Sequence, residues 1–442
     1  MRNRIITVIF LCFLLFFGVR TGMNVWDSIN GTENNHQPQT EALGSGGQIT
    51  GFNKASLEEI SNTITLNLAN RNQWINLNGL FQKGMGKTGD LEKDWYLLKN
   101  GMLMYSQNKD SDEELKKYAN NVVNLSQFAE SYGMKFLYVE LPYKVQRDGE
   151  YPTGVPDYGN RNADGIMEIL LSKSVQTMDF RDIMKDKNIE TEESFFRTDQ
   201  HWKPETALWA AGELSKKLSQ VDSEWKDYPE YRNSNNYRME YHSNLFLGAI
   251  GKKIGSAYAG KDDFNTPIPI FENTIRYRVP RQEDSIDRTG DFETAFIESN
   301  NLKNDPFKVN TYAAYCDGDH NKEQVTNESA PNQRNILLIR DSFSCTLMPY
   351  LALYTKNITT LDLRLYKTKS VYDYIRRHPD IDTVIVAYNP SSITEEQYTF
   401  DRVVNEENNY NDNKIIFLCS LLRNYRVTVV FCCSRPDVDG LV

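Results

Sequence analysis

Short apolar runs separated by helix-length amphipathic stretches set the tightest limit on what this chain can fold into. KFLYVELPYK from Lys135, VQTMDF from Val175, NILLIR from Asn335, NITTLDLRLY from Asn357 and DTVIVAYN from Asp382 are strand-sized and rich in β-branched and aromatic residues. Helical patterns lie between them. Leu115, Tyr118, Val122, Leu125 and Phe128 recur at three- and four-residue spacing over 112–132, and further helices are expected at DGIMEILLSK and at about 343–353 and 370–377. Such alternation predicts an α/β fold with a mostly parallel sheet flanked by helices. A last helix–strand pair, IIFLCSLLRNYRVTVVFCC, is expected at 415–433, and a helix followed by a short strand-and-turn region (NLNGLFQKG, DWYLLKNGMLM) precedes the first run.

Other stretches interrupt or flank this pattern. Residues 221–333 are polar and rich in Asn, Asp, Gly and Pro, with short strand-like pieces YRMEYH and NTIRYRV, and read as a β-rich insertion subdomain. At the N-terminus two arginines precede the apolar run IITVIFLCFLLFFGV, and no small-x-small cleavage site follows. We therefore expect an uncleaved, single-pass signal-anchor over 1–26 that places the body of the chain outside the cytoplasm, with secretion after signal cleavage as the alternative. Residues 27–54, polar and Gly/Ser/Asn-rich, read as a flexible linker, leaving 55–442 as the folded domain. Lys and Arg number 50 against 60 Asp and Glu, a net charge of −10 that offers no basic field for nucleic acid. Aromatics make up 12%, which suits a sheet-rich protein with an aromatic-lined groove. Neither the cysteine and histidine spacing nor any glycine loop points to a metal or nucleotide, so no cofactor is expected.

Two segments carry candidate chemistry. In FFRTDQHWKPETALWAAGEL, from Phe195, Asp199 and His201 stand two apart just before Pro204, which suits the first position of a helix. A carboxylate so placed can fix the tautomer of an acid–base imidazole. The same pair also reads as a helix N-terminal charge beside a packing histidine. In ILLIRDSFSCTLMPYL, from Ile336, an apolar strand runs into Asp341-Ser342-Phe343-Ser344 and then a helix, which is where open α/β sheets place reactive groups. Capping of that helix by Asp341, Ser342 or Ser344 accounts for these residues equally well. Together, one histidine with an acid and one strand-end serine supply the parts of acyl transfer through a serine ester. That chemistry requires the Ser342 hydroxyl and the His201 ring to approach within about 3–4 Å.

These segments resemble a known family. RTDQHW is similar to the DHHW motif of bacterial DHHW proteins, with Gln200 in place of the first histidine, and RDSFSCTLMPYLALYTKNITTLDLRLY is similar to the same family's Asp-Ser-Phe and Asp-Leu-Arg-Tyr stretch. The family is similar in turn to the SGNH-hydrolase-like (flavodoxin-like) domains of alginate O-acetyltransferases, in which a D-x-H motif precedes the serine. The resemblance runs from about Asn78 to the C-terminus and is weakest in 221–333. It implies Ser342 as nucleophile, His201 as general base and Asp199 as its orienting acid. It also implies Arg364 at a strand end as an oxyanion or substrate ligand, although Leu365 separates Arg364 from Tyr366 where the family has an Arg-Tyr pair. Lys144, in LPYK, is implied as a contact to sugar or to the acid, or else is an exposed lysine. Tyr388 and Asn389 occupy another strand end, where the Asn389 amide can serve an oxyanion or build the turn before Pro390. The function implied is a membrane-anchored, extracytoplasmic O-acetyltransferase of a surface polysaccharide, with a multi-span membrane-bound O-acyltransferase partner as acetyl donor. An acetylesterase with the same residues, and a non-catalytic polysaccharide-binding scaffold of an export complex, are the alternatives.

Overall fold

A computed structural model describes residues 68–91, 95–147, 155–280, 285–303 and 305–402, with a few more between 15 and 23. The 27–54 linker and the closing helix–strand pair lie outside the described residues, as does most of the 1–26 anchor. Among the described residues no helix is long and apolar enough to cross a membrane.

The strands, in chain order, are β1 (Trp95–Leu97), β2 (Leu103–Tyr105), β3 (Lys135–Glu140), β4 (Thr177–Asp179), β5 (Tyr237–Phe246), β6 (Asp262–Pro269), β7 (Ile275–Val279), β8 (Ile286–Gly290), β9 (Lys322–Asn327), β10 (Asn332–Arg340), β11 (Thr355–Leu361) and β12 (Thr383–Tyr388). Eight of them form one sheet in the order β4-β3-β12-β10-β11-β9-β7-β8. The first five run parallel, and β9, β7 and β8 extend the sheet antiparallel. The two α/β blocks therefore share one sheet, with β12 of the second block paired to β3 of the first. Strands β7, β8 and β9 of the polar 221–333 stretch lie in that sheet, while β5 and β6 pair as a separate antiparallel ribbon.

The apolar runs are continuous because both faces are covered. Successive residues of a strand point to opposite sides. Leu338 and Ile385 join the core under helices Pro204–Val221 and Ser344–Leu351, whereas Leu337, Ile339, Val384 and Val386 join the core under helices Asp112–Ser131 and Val371–Arg377. Ser111 opens the 112–131 helix with a capping box closed by Glu114. Segment 76–84, expected to turn, is instead helical within Arg71–Gly84. Gly79 is there for proximity: a Cβ would lie 2.5 Å from the Ile254 carbonyl oxygen.

The chain leaves β10 for β11 on one side, then crosses back to β12 on the other. A crevice at the carboxyl ends of the strands is expected at such a reversal. Close to it, at the end of β3, Glu140 is fully buried and accepts from the Tyr138 hydroxyl at 3.0 Å. Burial raises its pKa from 4.5 to about 8, against the pull of Arg181. The folded chain holds this proton where the unfolded chain has lost it, so the contribution is full below about pH 4.5 and is lost as pH rises to about 8. Urea unfolding midpoints should fall across that window, and Glu140→Gln should flatten the fall.

Candidate active site

Ser342 sits where the chain leaves β10. Asp341 builds the turn: its carboxylate accepts the Phe343 N–H at 3.0 Å and the Asn389 N–H at 2.7 Å, tying the end of β10 to the end of β12. Burial raises the Asp341 pKa, with those donors working the other way. The helix Ser344–Leu351 begins with no side-chain cap. The Ser342 hydroxyl is engaged elsewhere, 2.8 Å from Nε2 of His201.

His201 lies on a tight loop closed by a bridge between Phe195 and Trp202. Its Nδ1 is 2.6 Å from Asp199 Oδ1, and its backbone N–H donates to the same oxygen at 3.0 Å. The other Asp199 oxygen accepts the Ala249 N–H at 2.6 Å. Burial works against charge on Asp199, but His201 and these donors outweigh it and hold the carboxyl below its ordinary value. A carboxylate at Nδ1 keeps that nitrogen protonated and leaves Nε2 as the acceptor facing the hydroxyl. The imidazole is stacked on Tyr312 at 4.1 Å and lies 4.9 Å from the Phe343 ring. Trp202, fully buried, ties the loop to the serine turn: its indole N–H donates to Phe343 O at 3.1 Å and Thr346 Oγ1 at 2.8 Å.

The loop is also held from behind. Lys144 is buried, and its Nζ donates to the carbonyl oxygens of Leu103, Phe196, Arg197 and Asp199 at 2.6, 2.7, 3.2 and 2.6 Å. It is thus neither an exposed lysine nor a contact for sugar; it orients the acid residue through the backbone. Burial pushes its pKa down to about 7, with Asp262 and Asp199 pulling the other way. Asp262, at the start of β6, clasps the same loop by accepting the N–H groups of Arg197 and Thr198 and the Thr198 hydroxyl. Gly248 packs so closely that a Cβ would stand 2.2 Å from that of Asp199.

The remaining strand-end residues divide. Arg364 stays half-exposed at the same edge, its guanidinium donating to Asp362 and Asp319. Burial disfavours its charge, but those two carboxylates more than offset this and raise its pKa. Asp319 also accepts from Arg340, a fully buried residue at the end of β10 that pairs with Glu323. It follows three residues in the left-handed region, Cys316, Asp317 and Gly318 (φ 59°, 60° and 92°). Tyr388, in contrast, points into the opposite layer and donates its hydroxyl to Gln397 O at 2.8 Å. Asn389 builds the turn: its Nδ2 donates to Pro142 O at 2.6 Å and its Oδ1 accepts the Ser391 N–H at 2.9 Å. Tyr105, which no motif marks, reaches the site from β2. Burial pushes its hydroxyl up to about 12; it hydrogen-bonds the Ser391 side chain and lies within electrostatic reach of Asp199, Asp341 and Arg364.

Among described residues no cluster of His, Cys, Asp and Glu suits a metal ion. The arrangement can remove the Ser342 proton through His201 and so make the hydroxyl a nucleophile.

Residues 92–240, which carry Lys144, Asp199 and His201 but end before Ser342, match the family model described as SGNH hydrolase-like domain, acetyltransferase AlgX. No curated protein sequence matches the chain. Among solved structures, Bacillus cereus PatB1 with a sulfonyl adduct is similar at 20% identity, covering 69% of this chain and 98% of that one with a TM-score of 0.56. A DHHW family protein from Eubacterium siraeum is similar at 17% identity, covering 69% and 93% with a TM-score of 0.51. The fold is SGNH-hydrolase-like, and the resemblance read from the motifs extends to these proteins.

Lys144→Met should leave buried carbonyls without donors and lower the unfolding free energy by about 2–4 kcal/mol, measured by urea denaturation. Gly248→Ala should displace Asp199 and abolish the low-field imidazole Nδ1–H proton resonance of His201, which the unaltered chain should show.

Proposed function

We propose that the chain is an extracytoplasmic O-acetyltransferase that acylates a cell-surface polysaccharide through Ser342. The observation that carries this is the line of contacts from Asp199 through His201 to Ser342, with 2.6 and 2.8 Å separations. The match of residues 92–240 to an acetyltransferase domain supports the same chemistry. So does the sulfonyl adduct of PatB1, since sulfonyl reagents are electrophiles that capture nucleophilic side chains.

In the first step His201 Nε2 accepts the hydroxyl proton as Ser342 Oγ attacks the acetyl carbonyl. The bond to the donor's leaving group breaks, and His201 returns the proton to that group. In the second step a sugar hydroxyl gives its proton to His201 and attacks the acetyl-serine. The serine oxygen departs and recovers the proton. Asp199 stays ionised throughout and steadies the imidazolium. Arg364, half-exposed at the strand edge, faces the acyl oxygen or the acceptor. The N-terminal apolar run holds the domain at the membrane, beside a multi-span O-acyltransferase that supplies the acetyl group.

Incubation with 4-nitrophenyl acetate, with and without an oligosaccharide acceptor, tests this. Mass spectrometry should find acetyl on Ser342, and acceptor should divert acetyl from water to sugar. Ser342→Ala and His201→Ala should each lower turnover at least ~10³-fold. If acceptor never competes with water, the protein is an esterase. If Ser342→Ala turns over as the unaltered chain does, the serine has no catalytic part.

A further inference from the structure

A cavity of about 220 Å³ lies against the β1–β2 ribbon, lined by residues that take no part in the site described above. Trp95, Tyr96, Tyr158, Gln107 and Asn108 line it. Its volume is below the roughly 300–1,000 Å³ of pockets for drug-sized ligands, and suits about one sugar ring. The lining combines aromatic side chains, a residue type that packs against the C–H face of a pyranose, with amides that pair with hydroxyl groups. Asp90 and Lys109, both at the rim, balance in charge. Nothing there selects an anionic ligand.

A line of side-chain contacts leads from the cavity toward the candidate active site. Trp95 and Tyr105 stand directly opposite on the β1–β2 ribbon, so they share a face, with ring centroids 6.2 Å apart. Tyr105 in turn hydrogen-bonds the Ser391 side chain, two residues past Asn389, whose N–H donates to the Asp341 carboxylate next to Ser342. The walls are braced. The Tyr96 hydroxyl and the Gln107 N–H both donate to the Asp157 carboxylate, at 3.1 and 3.0 Å, and Lys253 lies 4.8 Å over the Trp95 ring. The Tyr158 N–H donates to Gln107 O at 3.1 Å, which locks the two sides together.

We propose that this cavity is an acceptor subsite that takes one uncharged pyranose ring of the polysaccharide, while the residue to be acetylated lies past Tyr105 at Ser342. This assignment rests on the acyl-transfer function above, and it gives a part to the aromatic pair that leads from the cavity to Ser391. A chain held at two points presents its hydroxyl to the acyl group in a restricted set of orientations.

Calorimetric titration of the full chain carrying Ser342→Ala reads binding without turnover. Cellotetraose or chitotetraose should bind, and a tetramannuronate should bind at least about tenfold more weakly. Tyr158→Ala and Asn108→Ala, added to that background, should each weaken the neutral tetramer at least about tenfold. Asn108 is exposed, so its variant should keep the unfolding midpoint of the parent. No binding of either neutral tetramer, tighter binding of the tetramannuronate, or undiminished affinity in both variants would overturn the proposal. Failure to find acetyl-Ser342 in the unaltered chain, with tetramer binding intact, removes the catalytic function and leaves the sugar site. The reverse pattern removes only the subsite.

Discussion

A buried amine with four carbonyl acceptors is the constraint on which the site depends. Lys144 gathers the backbone of residues 196, 197 and 199, together with Leu103 of β2, around one nitrogen. A loop carries few hydrogen bonds of its own, and without such a centre its carbonyls would have to reach water. Because the loop is fixed from behind by Lys144 and from the side by Asp262, His201 needs no movement to face Ser342. Trp202 then sets the gap, since its indole is anchored to the turn that carries the serine. The geometry is preorganised, which is what proton transfer during acyl chemistry requires.

Much of the fold was legible because short apolar runs alternate with helix-spaced stretches, the order that a parallel sheet with crossover helices requires. The runs of β3, β10 and β12 are unbroken because helices cover both faces, and Leu337 and Leu338 face different cores. Neither segment alone disclosed the meeting of Asp199, His201 and Ser342, since a packing histidine and a helix cap explained them as well; the pairing of the two segments and their family resemblance pointed to it, and the side chains stand 2.6 and 2.8 Å apart. The helix at 76–84 was hidden by its asparagines and glycines, residues that favour turns in isolation. Tertiary contact overrode that preference, because Gly79 lets this helix approach the 249–254 segment.

What pattern did not disclose was direction. Strand-end position alone cannot say whether a side chain turns toward the crevice or back into the protein. Tyr388 turns into the far layer and Lys144 turns under the loop, while Arg364 stays at the edge, held by Asp319. That carboxylate comes from the polar stretch between the two α/β blocks, and so does Tyr312 under the imidazole. Residues so distant in sequence leave no spacing to read. Trp202 did leave a trace, standing directly beside the histidine, but its partner Phe343 is 141 positions away.

The position of β12 has a consequence for the chain during synthesis. It pairs with β3 on one side and β10 on the other, yet it is the last of the twelve described strands to be made. Until it emerges, no pairing among the described strands joins β3, which leads to Lys144, to β10, which leads to Ser342. A chain stopping short of Thr383 would keep the contact of Trp202 with Phe343, but would lack the strand between β3 and β10 and the Asn389 N–H that holds Asp341 beside the serine.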